Sequence, residues 1–121
     1  RDWPLAKDIK KYFSDVIHNH GVYVDENVNL RNPKMVILNG ECVANITYDW
    51  MDSGEIYVRH NSSLHLKVKG LSRVFVNLLD GAELRVICED SAKCFVYQYG
   101  GNIMKTTGHI VIRDRHDFKF N

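Results

Sequence analysis

From Asn32 to Gly101 the chain counts in tens. Written in rows of ten, one column reads Val36, Ile46, Ile56, Leu66, Val76, Val86 and Val96, with no insertion or deletion. The column two residues later reads Leu38, Tyr48, Val58, Val68, Leu78, Cys88 and Gln98. The column two residues earlier reads Lys34, Ala44, Gly54, Leu64, Val74, Leu84 and Cys94. A fourth column supplies the breaks: Gly40, Trp50, His60, Gly70, Asp80, Asp90 and Gly100. So strict a spacing confines the chain to a repeat architecture, in which each unit buries its apolar side against its neighbours.

Within each unit apolar and polar residues alternate, as Leu64, Leu66 and Val68 do with His65, Lys67 and Lys69. Period two over five or six residues is a half-buried strand. Turns of about four residues carrying Gly, Asp, Asn or Ser follow, and these types supply positive φ or local side-chain turns. Their opening column stays small at Ser62, Ser72, Ala82 and Ala92. Two windings fit a strand-plus-turn decad, an antiparallel meander or a coil that stacks on itself. Asp80-Gly81 alone favours the meander. The outward residues favour the coil. Odd-numbered units point Met35, Ile37, Tyr57, Phe75, Leu79, Phe95, Tyr97 and Tyr99 outward. Even-numbered units point Asn45, Thr47, Asp49, His65, Lys67, Lys69, Arg85 and Glu89 outward. The outer surface therefore repeats every two decads. Two strands per coil place every greasy outer residue on one sheet and every wet one on the other, whereas a meander interleaves them. The expected fold is all-β, a short parallel β-solenoid (β-helix) of about 20 residues per coil with an N-terminal α-helix. At about 4.8 Å per coil, the repeat alone forms a stub roughly 17 Å tall.

Residues 1–31 read as that helix and a lead-in, residues 32–101 as the decad solenoid, and residues 102–121 as a C-terminal strand and cap, all in one compact domain. The helix is expected over residues 3–19. Pro4 suits its first turn, Leu5, Ile9, Tyr12, Phe13, Val16 and Ile17 recur at spacings of three and four, and Gly21 is the left-handed stop. After Gly101 the repeat fails, and Ile110-Val111-Ile112 recovers a strand out of phase. Phe118 and Phe120 belong to a terminal strand or a cap over the open end.

With 121 residues, 45% hydrophobic and 26% charged, the chain holds enough apolar material for a core. Its net charge of +1 makes no electrostatic case for nucleic acid or an anionic membrane as partner. No apolar run reaches the roughly 20 residues of a membrane span. The chain opens at Arg1 rather than Met, the expectation being a processed form from which a targeting segment is already gone. Three cysteines cannot all pair; Cys88 and Cys94 fall in inward columns as reduced packing residues, which leans towards a cytoplasmic setting. The sequons Asn45-Ile46-Thr47 and Asn61-Ser62-Ser63 pull weakly the other way. No paired acids, nucleophile elbow, phosphate-cradling glycine loop or HExxH occurs, so neither an enzyme nor a cofactor is expected. No metal site is expected either, since His18 and His20 point apart at a helix end without a supporting cysteine pair.

The columns, with segments such as Ile56-Tyr57-Val58-Arg59-His60-Asn61-Ser62 and Ala92-Lys93-Cys94-Phe95-Val96-Tyr97, resemble small bacterial β-solenoid proteins of the bactofilin and adhesin-head kind. The resemblance covers about residues 32–101 and is one of architecture. It implies a scaffold, polymer or adhesive module with no catalytic residues to carry over. The N-terminal helix and the aromatic outer sheet depart from the bactofilin pattern.

The strongest candidate site is that aromatic sheet, where Tyr57, Phe75, Phe95, Tyr97 and Tyr99 project beside Arg59 and Asn77. Three occupants are open: the N-terminal helix, a second copy of the chain, or a ligand such as a sugar. On the other sheet, His65, Lys67, Lys69 and Arg85 form a small basic cluster, and Asp49, Lys69 and Glu89 share a column of alternating charge. The expected function is a non-catalytic scaffold or protein-interaction module acting by self-association or partner contact. The alternative is a carbohydrate-binding or adhesive module using the aromatic sheet.

Overall fold

The computed structural model of the protein describes residues 15–115. Its opening turn of helix, residues 15–19, ends at Gly21, whose φ is +78°. A Cβ there would stand 2.3 Å from the carbonyl oxygen of Met35, so the left-handed stop and the close approach both require glycine. The rest of the expected helix, residues 3–14, lies outside the described residues.

Strands follow in unbroken succession: β1 (Val22–Val24), β2 (Asn27–Arg31), β3 (Met35–Asn39), β4 (Val43–Tyr48), β5 (Ser53–Val58), β6 (Ser63–Val68), β7 (Arg73–Leu78), β8 (Glu83–Cys88), β9 (Lys93–Gln98), β10 (Asn102–Thr107) and β11 (Ile110–Asp114). Odd strands form one sheet in the order β1-β3-β5-β7-β9-β11, and even strands form the other in the order β10-β8-β6-β4-β2. Every pairing is parallel. This is a two-sheet β-solenoid, and the meander is excluded.

Coil overlies coil in a register of twenty through the middle of the stack, as in Val36↔Ile56, Ile46↔Leu66, Ile56↔Val76, Leu66↔Val86 and Val76↔Val96. The inward columns are the core. Val36, Leu38, Ile56, Val58, Val74, Val76, Leu78, Leu84 and Val96 are all wholly buried. Like residues stacked on like fill each level of the core at the spacing set by the backbone ladder.

One inward position breaks the aliphatic rule. Gly54 faces Tyr48, and a Cβ on Gly54 would lie 2.2–2.6 Å from the tyrosine ring and hydroxyl. The glycine makes the hollow that lets the largest fully buried side chain into the core. Tyr48 Oη donates to the Pro33 carbonyl at 2.7 Å, and burial, with Asp52 and Cys94 nearby, pushes its hydroxyl pKa far above the ordinary value.

Corners of four residues join β4 through β9, and their left-handed residues are His60, Gly70, Asp80 and Asp90. They are laced along the stack. Gly40 N donates to His60 Nδ1 (2.8 Å), His60 N to Asp80 Oδ2 (2.9 Å) and Gly70 N to Asp90 Oδ2 (3.0 Å). The break column is displaced at two places: Trp50 is not left-handed, and Gly101 takes that conformation instead of Gly100.

Strands continue on both sides of residues 32–101. The outer coils are tighter, with steps of fifteen or sixteen: Val22↔Ile37, Asn27↔Val43 and Cys94↔Ile110. Two-residue corners at Asp25-Glu26 and Gly108-His109, three-residue corners at 32–34, 40–42 and 99–101, and the shorter β1, β2 and β3 account for the difference. Ile110 and Ile112 therefore stand out of phase with the tens yet directly above Cys94 and Val96. β10 follows β8 with a register shift between Ile103 and Lys105, a bulge at Met104. From β1 to β11 the odd sheet spans five spacings, about 24 Å.

Candidate functional site

The odd sheet carries the aromatic face. Its outer columns read Met35, Glu55, Phe75, Phe95, Val111 and Ile37, Tyr57, Asn77, Tyr97, Arg113. A third, at the corner side, holds Arg59, Leu79 and Tyr99 one coil apart. Tyr57, Phe75, Asn77, Phe95, Tyr97, Tyr99 and Arg59 thus share one face of one sheet. Phe75 and Phe95 stack with ring centroids 5.1 Å apart and planes at 14°. The rings of this face are half-buried because they cover one another.

Polar groups cluster around Glu55. Its Oε2 accepts from Tyr57 Oη at 3.0 Å and from Asn77 Nδ2 at 3.3 Å. The bond to Glu55, together with burial, raises the Tyr57 hydroxyl pKa. Asn77 is buried under its neighbours, and Arg59 is exposed. Ile37, Tyr57, Arg59 and Leu79 line a shallow depression of about 300 Å³. Further along, the Arg115 guanidinium lies 5.6 Å from the Tyr97 ring centroid.

The described end of the helix lies at the N-terminal end of the stack. His18 stacks on Tyr23 of β1 (4.5 Å) and bonds Glu26 through Nε2 (2.8 Å).

The even sheet carries the polar face. Asn45, His65, Arg85 and Lys105 fall in one column on β4, β6, β8 and β10, and Thr47, Lys67, Ile87 and Thr107 in the next. Asp49 is partnered by Arg31 and Asn32, which lower its carboxyl pKa, the Asn32 hydrogen bond contributing most. Glu89 approaches Lys67 at 3.9 Å. The Arg31–Asp49 and Lys67–Glu89 pairs are thus diagonal, and the vertical Asp49–Lys69–Glu89 ladder expected from the columns does not form within ion-pair distance.

All three cysteines are buried and free. Burial, with Cys88 beside it, pushes the Cys94 thiol pKa up to about 12, so it stays protonated at neutral pH. Cys88 Sγ donates to the Ala92 carbonyl at 3.1 Å, and Cys42 Sγ to that of Asn39 at 3.2 Å. Among the described residues no group of three His, Cys, Asp or Glu converges, and no helix is long and apolar enough to cross a membrane.

Sequence reasoning passed over three residues of these faces: Glu55, Arg115 and Lys105. Glu55 lies twenty residues before Phe75 and Lys105 twenty after Arg85, so the period held the signal for both. The apolar members of its column mask Glu55, and the failure of the decad after Gly101 masks Lys105. No family model matches the chain, and neither a curated protein nor a solved structure matches it.

Proposed function

We propose that the protein is a non-catalytic scaffold module that associates with itself through the C-terminal end of its stack. The reading rests on one observation. Val96 is wholly buried, whereas Ile112, in the same core column one coil further on, is 45% exposed. The aliphatic column runs out into an uncovered terrace among the described residues. Beside it, Met104 is 49% exposed on β10. Among the described residues β10 and β11 are the last strands of the two sheets there, and terminal strands of this kind recruit other strands. At the opposite end His18 packs over Tyr23 of β1 and bonds Glu26, so the two ends differ; two copies meeting at their like C-terminal ends close as a two-fold dimer rather than extending into a filament. That sets it apart from the polymers that bactofilin-like architecture brings to mind.

Sedimentation velocity over a wide concentration range tests the proposal. The expected result is a monomer–dimer equilibrium that Ile112→Lys shifts to monomer with the far-ultraviolet spectrum unchanged. A strict monomer at the highest concentration removes the reading.

A second reading, a neutral glycan seated on the aromatic face, is favoured by the Tyr57–Arg59 depression, where a ring face and a hydrogen-bond donor adjoin. Tyrosine fluorescence across a sugar array tests it, and silence from every sugar counts against it.

A further inference from the structure

The outer face of the even sheet is not a simple solvated surface. A depression of about 480 Å³, within the usual range for small-ligand sites, is lined at its surface by Asn45, Thr47, His65, Lys67, Arg85, Ile87 and Lys105. Three formal cations stand there with no carboxylate in the lining, although the whole chain is within one charge of neutral.

Arg85 and Lys105 are direct register partners on neighbouring strands, with His65 next in the column. Like charges placed opposite one another destabilise a sheet. Elsewhere on this face Arg31 is answered by Asp49. Within the depression the answers are weak and lateral. Glu83 reaches Arg85 Nη1, and Glu89 reaches Lys67 Nζ, only at 3.9 Å. Lys105 and His65 make no ion pair among the described residues.

We infer that this groove binds a sugar-sized ligand bearing two or more phosphate or sulfate groups. Arg85, Lys105 and Lys67 take the oxyanions, with Arg85 offering a planar fork of donors. Asn45 and Thr47, the neutral end of the same two columns, take hydroxyl groups. Ile87, 39% exposed between Lys67 and Thr107, packs on the apolar face of the ring. No aromatic side chain lines the groove, so it lacks the stacking platforms on which single-stranded nucleic acids depend. The inference is independent of the self-association reading, which concerns the end of the stack.

The test is calorimetric titration of the full chain with sucrose octasulfate, myo-inositol hexakisphosphate and unmodified sucrose, and with a thymidine oligonucleotide. Saturable binding of one or both esters, weakening as salt rises, and none of sucrose is expected. The ester preferred tells a sulfated from a phosphorylated natural ligand. The double variant Arg85→Gln/Lys105→Gln should weaken binding at least about tenfold. Lys34→Gln/Lys93→Gln, which removes the same charge away from the groove, should not. Amide shifts of the unmodified protein should move on β6, β8 and β10, a readout that survives if a variant misfolds. Absence of binding by both esters, equal loss in both double variants, shifts confined to the odd sheet, or tighter binding of the oligonucleotide would each overturn the inference.

Discussion

Ser62 and Ser72 occupy equivalent corner positions on opposite edges of the stack, and both are wholly buried. Only one has work for its hydroxyl. Ser62 Oγ accepts from Cys42 N and donates to the Gly40 carbonyl, both at 3.1 Å, stapling its coil to the previous one. Among the described residues Ser72 Oγ has no hydrogen-bond partner. A lost buried hydrogen bond costs about 1 kcal/mol or somewhat more, whereas removing an orphaned hydroxyl relieves a desolvation penalty. Ser62→Ala should therefore destabilise by about 1 kcal/mol, and Ser72→Ala should be neutral or stabilising, as read by urea unfolding. Equal effects would dissolve the distinction. The column of small residues was legible in the sequence, but which serine bonds was not, because that depends on how each corner sits over the one below. Gly54 is a parallel case. Its place among inward residues was readable, while its reason, the Tyr48 ring arriving from the facing sheet, is a contact no local pattern encodes.

At the scale of elements, the corners decide whether strands stack or turn back. Asp80 holds φ at +58° and accepts the His60 amide hydrogen, so it bears both a conformational cost and a compensating bond. Substitutions separate the two. Asp80→Asn keeps the acceptor and tolerates the left-handed region, and should be nearly silent. Asp80→Gly relieves the backbone but drops the bond. Asp80→Ala loses on both counts, by about 1–2 kcal/mol. Thermal or urea unfolding should rank them Asn, Gly, Ala in order of increasing damage; Ala matching Asn would mean that the ladder contributes nothing. Asp80-Gly81 also shows the limit of local signals, since a dipeptide that favours a hairpin sits here in a parallel coil corner. The outward pattern, summed over seven units, outweighed it. β1, β2 and β11 were harder to read because their coils step by fifteen or sixteen residues, so a ruler of ten slides off them.

For the whole molecule, a stack in which each coil touches only its neighbours loses stability towards an uncovered end. The outer residues of β10 and β11 are largely exposed, while β5 to β8 have coils above and below. Amide hydrogen exchange should therefore show the greatest protection on β5 to β8 and a decline through β9 to β11 in dilute solution. Uniform protection would point to all-or-none opening instead. The wall each decad joins was legible, because a two-strand coil sends alternate decads to opposite walls, but the division of apolar from polar is not strict: Glu55 stands on the aromatic wall and Ile87 on the polar one. What occupies each wall was not legible, because that depends on chemistry outside the chain. The same alternation makes the surface separable. Changing solvent-facing letters in the even rows should leave the tyrosine wall untouched, and the reverse should hold, so this small slab offers two independently editable pages bound along one spine.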